Sequence, residues 1–174
     1  MAIRNIRIEN DSILRKISKP VEKFDKKLHD LLDDMKETMY EAEGVGLAGV
    51  QVGILRRVIV IDMSDDGSGL LEIINPEVLE NEGEQVFEEA CLSIKGKSGL
   101  VTRPYMTKIK AQNRFGEPFE LVCEGHLGVC INHEIDHLNG ILFTDIATEI
   151  FTGSDEELRE QRLARRQQME QKND

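Results

Sequence analysis

Two histidines four residues apart, with a glutamate directly after the first, make His133-Glu134-Ile135-Asp136-His137 the segment best equipped for chemistry. On a helix, residues i and i+4 share a face, so both imidazoles reach one divalent metal. Glu134 sits one residue round from His133 and borders that site, where its carboxylate can exchange protons with a water. A catalytic metal needs a third protein ligand and keeps a fourth position open. Cys130 lies one turn before His133, but helical rise puts it about 7–8 Å along the axis from the midpoint of the histidines. That is too far for a thiolate bonded at about 2.3 Å. Cys91, in Glu88-Glu89-Ala90-Cys91-Leu92-Ser93 before a glycine-containing stretch, is the better thiolate candidate, and Cys123 reads as a buried small hydrophobe. A downstream carboxylate, Asp145 or Glu149, is the competing third ligand and would point to a zincin-like peptidase.

These residues need elements to hold them. Leu28, Leu31, Leu32, Met35, Met39 and Ala42 recur at helical spacing, predicting a helix over 26–43 with Asp25 as N-cap and Gly44 as its stop. A second helix, 127–138, carries both histidines and ends at Asn139-Gly140. Residues 55–62 read as a buried β-branched strand, with shorter strands at 72–74, 78–80, 108–113 and 119–123. Asn75-Pro76, Arg103-Pro104 and Gly116-Glu117-Pro118 mark turns between them. The expected fold is α+β: small mixed antiparallel sheets packed around a central helix bearing the histidines, with a helix at each end. Residues 1–153 form the catalytic domain. Residues 154–174 add a helix of the same domain, capped by Ser154 and Glu157, whose few apolar residues predict a solvated tail.

Composition narrows the function. The 174 residues carry 33 acidic against 22 basic side chains, a net charge of −11, and no Trp. That excludes a stable nucleic-acid binder with a basic or base-stacking face. Three cysteines leave no complete disulfide framework, and no segment is long and apolar enough for a membrane span. The start of the chain, alternating charged and apolar residues, does not resemble a signal peptide, so a reduced, cytoplasmic protein is expected. Gly44-Val45-Gly46-Leu47-Ala48-Gly49 matches the dinucleotide-binding fingerprint in letters only. It follows a helix and leads into a strand, the reverse of what a nucleotide site requires. Its glycines fit a tight turn or a close approach of backbone to a ligand.

Taken together, Gly44-Val45-Gly46-Leu47-Ala48-Gly49-Val50-Gln51, Glu89-Ala90-Cys91-Leu92-Ser93 and His133-Glu134-Ile135-Asp136-His137 closely resemble, in order and separation, the three motifs of the peptide deformylases. The resemblance extends from the N-terminal Ile-Arg-Ile segment to Leu142-Phe143. It implies a metal-dependent hydrolase that removes the N-formyl group from the formyl-methionine of nascent bacterial polypeptides. Carried over residue by residue, Cys91, His133 and His137 would hold one divalent metal, Fe²⁺ in most of the family, with Zn²⁺, Ni²⁺ or Co²⁺ as substitutes. Glu134 would move the proton, and the Gln51 amide and Leu92 N–H would face the developing oxyanion. Val45, Gly46 and Ala90 would pair with the extended peptide, while Val129 and Cys130 would wall the methionine pocket. A monomer is expected, with a passing ribosome contact through the tail helix, where Arg159, Arg162, Arg165 and Arg166 interrupt the acidity. Six positions depart from the family pattern. Gly49-Val50 stands for Ala-Pro, Ala90 for Gly, Asn132 for Gln, Lys95 for Pro, and Ser98 for an Arg whose guanidinium can grip peptide carbonyls. The alternative is a divergent relative with weak or altered deformylase activity.

Overall fold

A computed structural model describes residues 1–172. In chain order it contains α1 (Lys26–Glu41), β1 (Gly46–Ala48), β2 (Val58–Ile61), β3 (Leu71–Glu82), β4 (Gln85–Cys91), β5 (Ile94–Arg103), β6 (Met106–Gln112), β7 (Pro118–Glu124), α2 (Gly125–Leu138), α3 (Phe143–Ile146), β8 (Glu149–Thr152) and α4 (Asp155–Lys172). Five strands form one sheet in the order β1-β2-β3-β6-β7, and three form a second in the order β4-β5-β8. Every strand pairing within them is antiparallel. The α+β class and the central histidine-bearing helix are as expected from sequence.

The core follows from side-chain alternation along β2. Ile59 and Ile61 face a cluster shared with Ile131 and Leu138 of α2, while Val58 and Val60 face Leu28, Leu32, Met35 and Met39 of α1. A strand buried on both faces must be apolar at every position, which is why Val58–Ile61 reads as an unbroken β-branched run. The Asp25 side chain accepts from the Leu28 N–H and caps α1 as predicted. The helix ends at Glu41, two residues early, and the chain turns through Glu43 in the left-handed region before Gly44. Gly140, with φ 74°, ends α2 as expected.

The strands depart from the sequence reading in three ways. Residues 72–74 and 78–80 belong to one strand, β3, because Asn75-Pro76 makes a register shift there rather than a turn. Asn75 adopts φ 53°, and its side chain accepts from the Val21 N–H and donates to the Val21 carbonyl, which holds the distortion. Residues 46–48, read as loop, pair with β2. The whole β4-β5-β8 sheet is new. The tail helix is capped by Ser154 and Glu157, each side chain accepting from the other's backbone N–H. It is exposed along most of its length, but Leu158 is 2 % exposed and anchors it to the body. Residues 173–174, the end of that expected helix, lie outside the described residues.

Candidate metal centre

α2 buries His133, Glu134 and His137 on its inner face. The third group comes from the other sheet. β4 ends at Cys91, which pairs with Ile94 across the two-residue turn Leu92-Ser93, and a register shift between Glu89 and Cys91 re-aims the strand there. Cys91 Sγ thereby lies 3.3 Å from His137 Nε2. One ligand atom from each of Cys91, His133 and His137 lies within 4.8 Å of the others, a spacing that suits one ion bonded at about 2.0–2.3 Å. One buried polar atom beside them, Glu134 Oε2, has no hydrogen-bond partner among the described residues. Buried polar atoms are nearly always satisfied, so a soft-and-borderline donor set flanked by an orphaned carboxylate oxygen fits a metal with its water or substrate.

The competing ligands are engaged elsewhere. The Asp145 carboxylate accepts from Arg15 at 2.5 and 3.1 Å and from the Leu142 N–H at 2.9 Å. Glu149 is exposed on β8, opposite Leu100. Cys130 is buried and stays out of the ligand group, as the rise along α2 requires, and burial pushes its thiol up to about 12. Cys123 is a core residue.

A second ring of groups holds the first. His133 Nδ1 lies 2.6 Å from Glu89 Oε1, so its other ring nitrogen is the one turned to the metal position. Arg103 grips both oxygens of Glu89, from Nε at 2.8 Å and Nη2 at 2.9 Å, and reaches Asp136 with Nη1 at 2.5 Å. Burial penalises the charged imidazole of His133, but Cys91 and Glu89 outweigh it and raise its pKa. Burial and the neighbouring charge of His133 hold His137 well below the usual range, hence neutral. Burial also pushes the Glu134 carboxyl up to about 7, where a group can both take and give a proton. Glu89, Arg103 and Asp136 were not identified as supporting groups from sequence. Glu89, at the head of the cysteine motif, and Asp136, inside the histidine motif, carried a hint; Arg103 carried none.

Gln51 is fixed from both ends. Its Oε1 accepts from the Ala48 N–H at 2.9 Å, which turns Nε2 towards Ser93 Oγ at 3.0 Å and Cys91 Sγ at 3.6 Å. Gly46 packs directly under Glu134: a Cβ there would come 2.6 Å from Glu134 Oε1. Gly49 is equally constrained, since a Cβ would meet Val58 and the Arg56 carbonyl. Asn132 donates to Thr107 Oγ1 and the Gly128 carbonyl, and Ser98 donates to Glu88 at 2.8 Å. These departures from the family pattern are each accommodated locally. Val45, Gly46, Ala90, Leu92, Val129 and Cys130 all line one cleft of about 910 Å³, with Gln51, Cys91, His133 and Glu134 in its wall.

A family model for polypeptide deformylases matches residues 3–151. The peptide deformylase of Caldicellulosiruptor bescii is 52 % identical over 170 residues, covering 98 % of this chain and 99 % of that protein. The peptide deformylase of Acetivibrio thermocellus is 51 % identical over 171 residues, covering 98 % of each. Among solved structures, a peptide deformylase from Legionella pneumophila superposes with a TM-score of 0.82 at 43 % identity, over 97 % of this chain and 98 % of that one. One from Synechococcus elongatus, in complex with actinonin, gives 0.82 at 38 % identity over 84 % and 81 %. With its Cys/His/His site intact, the chain belongs to the polypeptide deformylase family.

Proposed function

We propose that this protein hydrolyses the N-formyl group of formyl-methionyl peptides, releasing formate, and that its metal is iron(II), replaceable by zinc, nickel or cobalt. The observation that carries this is the convergence of Cys91, His133 and His137 beside a buried Glu134 with a pKa near 7. Cys91, His133 and His137 would hold a divalent ion, which when bound would supply Lewis acidity to the attacking water and the formyl carbonyl. Glu134 takes the proton of the attacking water and returns it to the leaving amine. The Gln51 amide, already turned to the ligand sulfur, and the Leu92 N–H donate to the oxyanion.

The sheet topology supports the substrate reading. β1 and β4 are each the first strand of their sheet, so each has an edge without a strand partner, and both border the cleft. An extended peptide can add to these edges through its backbone, with Val45, Gly46 and Ala90 as partners. Val129 and Cys130, one turn before the histidines, close the pocket for the methionine side chain. A cytoplasmic location fits the iron–thiolate site, which reducing surroundings preserve. No described helix is long and apolar enough to cross a membrane. A passing ribosome contact by α4 would have to leave out Arg165, which is bonded to Glu88. The decisive experiment is formate release from a formyl-Met tripeptide by anaerobically iron-loaded protein. Absence of release overturns the proposal.

A further inference from the structure

We propose that α4 supplies a substrate subsite, in which Arg162, flanked by Arg159, Arg166 and Lys95, binds an acidic side chain of the peptide downstream of its formyl-methionine. This rests on the deformylase reading and extends the same cleft. Leu158, Arg159, Arg162 and Arg166 recur at three- and four-residue spacing, and that stripe lines the cleft that contains Cys91 and Glu134. Lys95, just after the Leu92-Ser93 turn, lines it too.

Positive charge is in excess there: Asp155, the acidic residue that α4 itself places in the cleft wall, accepts from the Gly96 N–H at 3.3 Å, and four basic side chains face it. Glu88 is the buried carboxylate nearest the helix, and it is already saturated. Its Oε1 accepts from Ser98 at 2.8 Å and from Arg165 Nη2 at 2.5 Å, and its Oε2 from Arg165 Nε at 2.8 Å. Arg165 also lies over the Phe151 ring, 3.8 Å from its centroid, so it serves to dock the helix. Arg162 is left over. Its Nε is 4.0 Å from Glu88 Oε1, and that buried nitrogen has no hydrogen-bond partner among the described residues. Arg166 lies over Phe87 at 4.7 Å, and neither it, Arg159 nor Lys95 forms an ion pair among the described residues. Burial and the neighbouring guanidiniums of Arg166, Arg159 and Arg165 lower the pKa of Arg162, although Glu88 opposes them. An excess of positive charge at a cleft wall, in a chain of net charge −11, is complementary to a carboxylate. Guanidinium binds carboxylates with paired, charge-assisted hydrogen bonds, which gives such a subsite direction as well as attraction.

The test uses the full-length, metal-loaded protein and amidated formyl-Met-Ala-X-Ala peptides with X as Glu, Gln or Lys. We expect KM for Glu to be lower than for Gln by about tenfold, with kcat unaltered, as one charge-assisted hydrogen bond would give. The Lys peptide should bind more weakly than both. Arg162→Ala should bring the Glu-to-Gln ratio to one, whereas Glu160→Gln, on the opposite face of α4, should keep it. A helix that merely docks would show a lower Tm in Arg162→Ala and no change in that ratio. Equal KM values for Glu and Gln in the unaltered protein, or a ratio that survives Arg162→Ala, overturn the subsite. Formyl-Met-Ala-Ala with a free rather than amidated terminus separates the two carboxylate sources. A preference confined to the free terminus also overturns it. Failure to release formate from every peptide would instead sink the deformylase reading, and the subsite with it.

Discussion

Replacing Arg103 by methionine tests how the metal centre is held. The guanidinium is 5 % exposed and Glu89 is 3 % exposed, so neither charge has water to fall back on. Burial alone would raise the Glu89 carboxyl, but Arg103 and His133 outweigh it and hold its pKa below the ordinary range. Arg103→Met keeps most of the buried stem and leaves the carboxylate with His133 alone. Removing one partner of a buried ion pair costs about 3–5 kcal/mol, because the other charge stays uncompensated. Against a total stability of about 5–15 kcal/mol that is a large share. At about 2–4 °C per kcal/mol for a chain of this size, Tm should fall by about 6–20 °C. Adding Glu89→Gln removes the stranded charge and still offers an oxygen to His133 Nδ1–H. The double variant should therefore recover about half the loss or more. Metal affinity should not recover with it, since a neutral amide orients His133 less strongly; a loss of about 10–100-fold is expected in both variants. Urea unfolding of metal-stripped protein reads the first quantity, and competition with a chromogenic chelator reads the second. A loss under about 1 kcal/mol for Arg103→Met, or a double variant less stable than the single, would refute the reasoning.

Gln51→Ala should lower kcat for formate release by about 100–1,000-fold with the metal retained, as expected for one oxyanion donor; equal turnover would remove Gln51 from that role. Cys91→Ser should reduce metal content after dialysis, whereas full retention would return a carboxylate to the ligand set. Glu134→Ala should abolish turnover while keeping the metal, and loss of the metal instead would reassign Glu134 as a ligand. The docking of α4 should weaken in acid. Burial acts to raise Glu88, but Arg165 and Ser98 outweigh it and depress its pKa below 4.5. A depressed carboxylate contributes stability above its unfolded pKa and loses it as pH falls through the folded one. Hydrogen exchange across 155–172 should therefore speed up below about pH 4.5, relative to Glu88→Gln measured at the same pH. An identical pH response in that variant would discount the pairing.

How much of this was legible in the sequence depends on the range of the interaction concerned. The metal-bearing helix was, because His133 and His137 are four residues apart and helical geometry alone brings them together. Cys130 could be rejected by the same geometry, and it lies outside the ligand group although it lines the same cleft. β2 was legible because burial on both faces demands an unbroken apolar run. β4 was not. Its central residues Glu88 and Glu89 read as a polar stretch, yet both are buried, because their charges are met by Arg165, 77 residues on, and Arg103, 14 residues on. No periodicity announces a strand that buries a carboxylate on each face, since the pattern is completed only by partners the local sequence does not contain. β5 was hidden for a related reason. Gly99 lies in it where a Cβ would meet Ala147 and the Glu149 carbonyl, so the close approach of β8 and α3 removes the side chain that would have signalled a strand. Gly46 shows the same effect at the site itself. It matched a nucleotide-binding fingerprint in letters, but the space its missing side chain leaves is filled by Glu134, 88 residues later. The residues that perform the chemistry were visible as local motifs. Those that hold them rigid were visible only after folding, because each is defined by a charge or a volume on a distant segment.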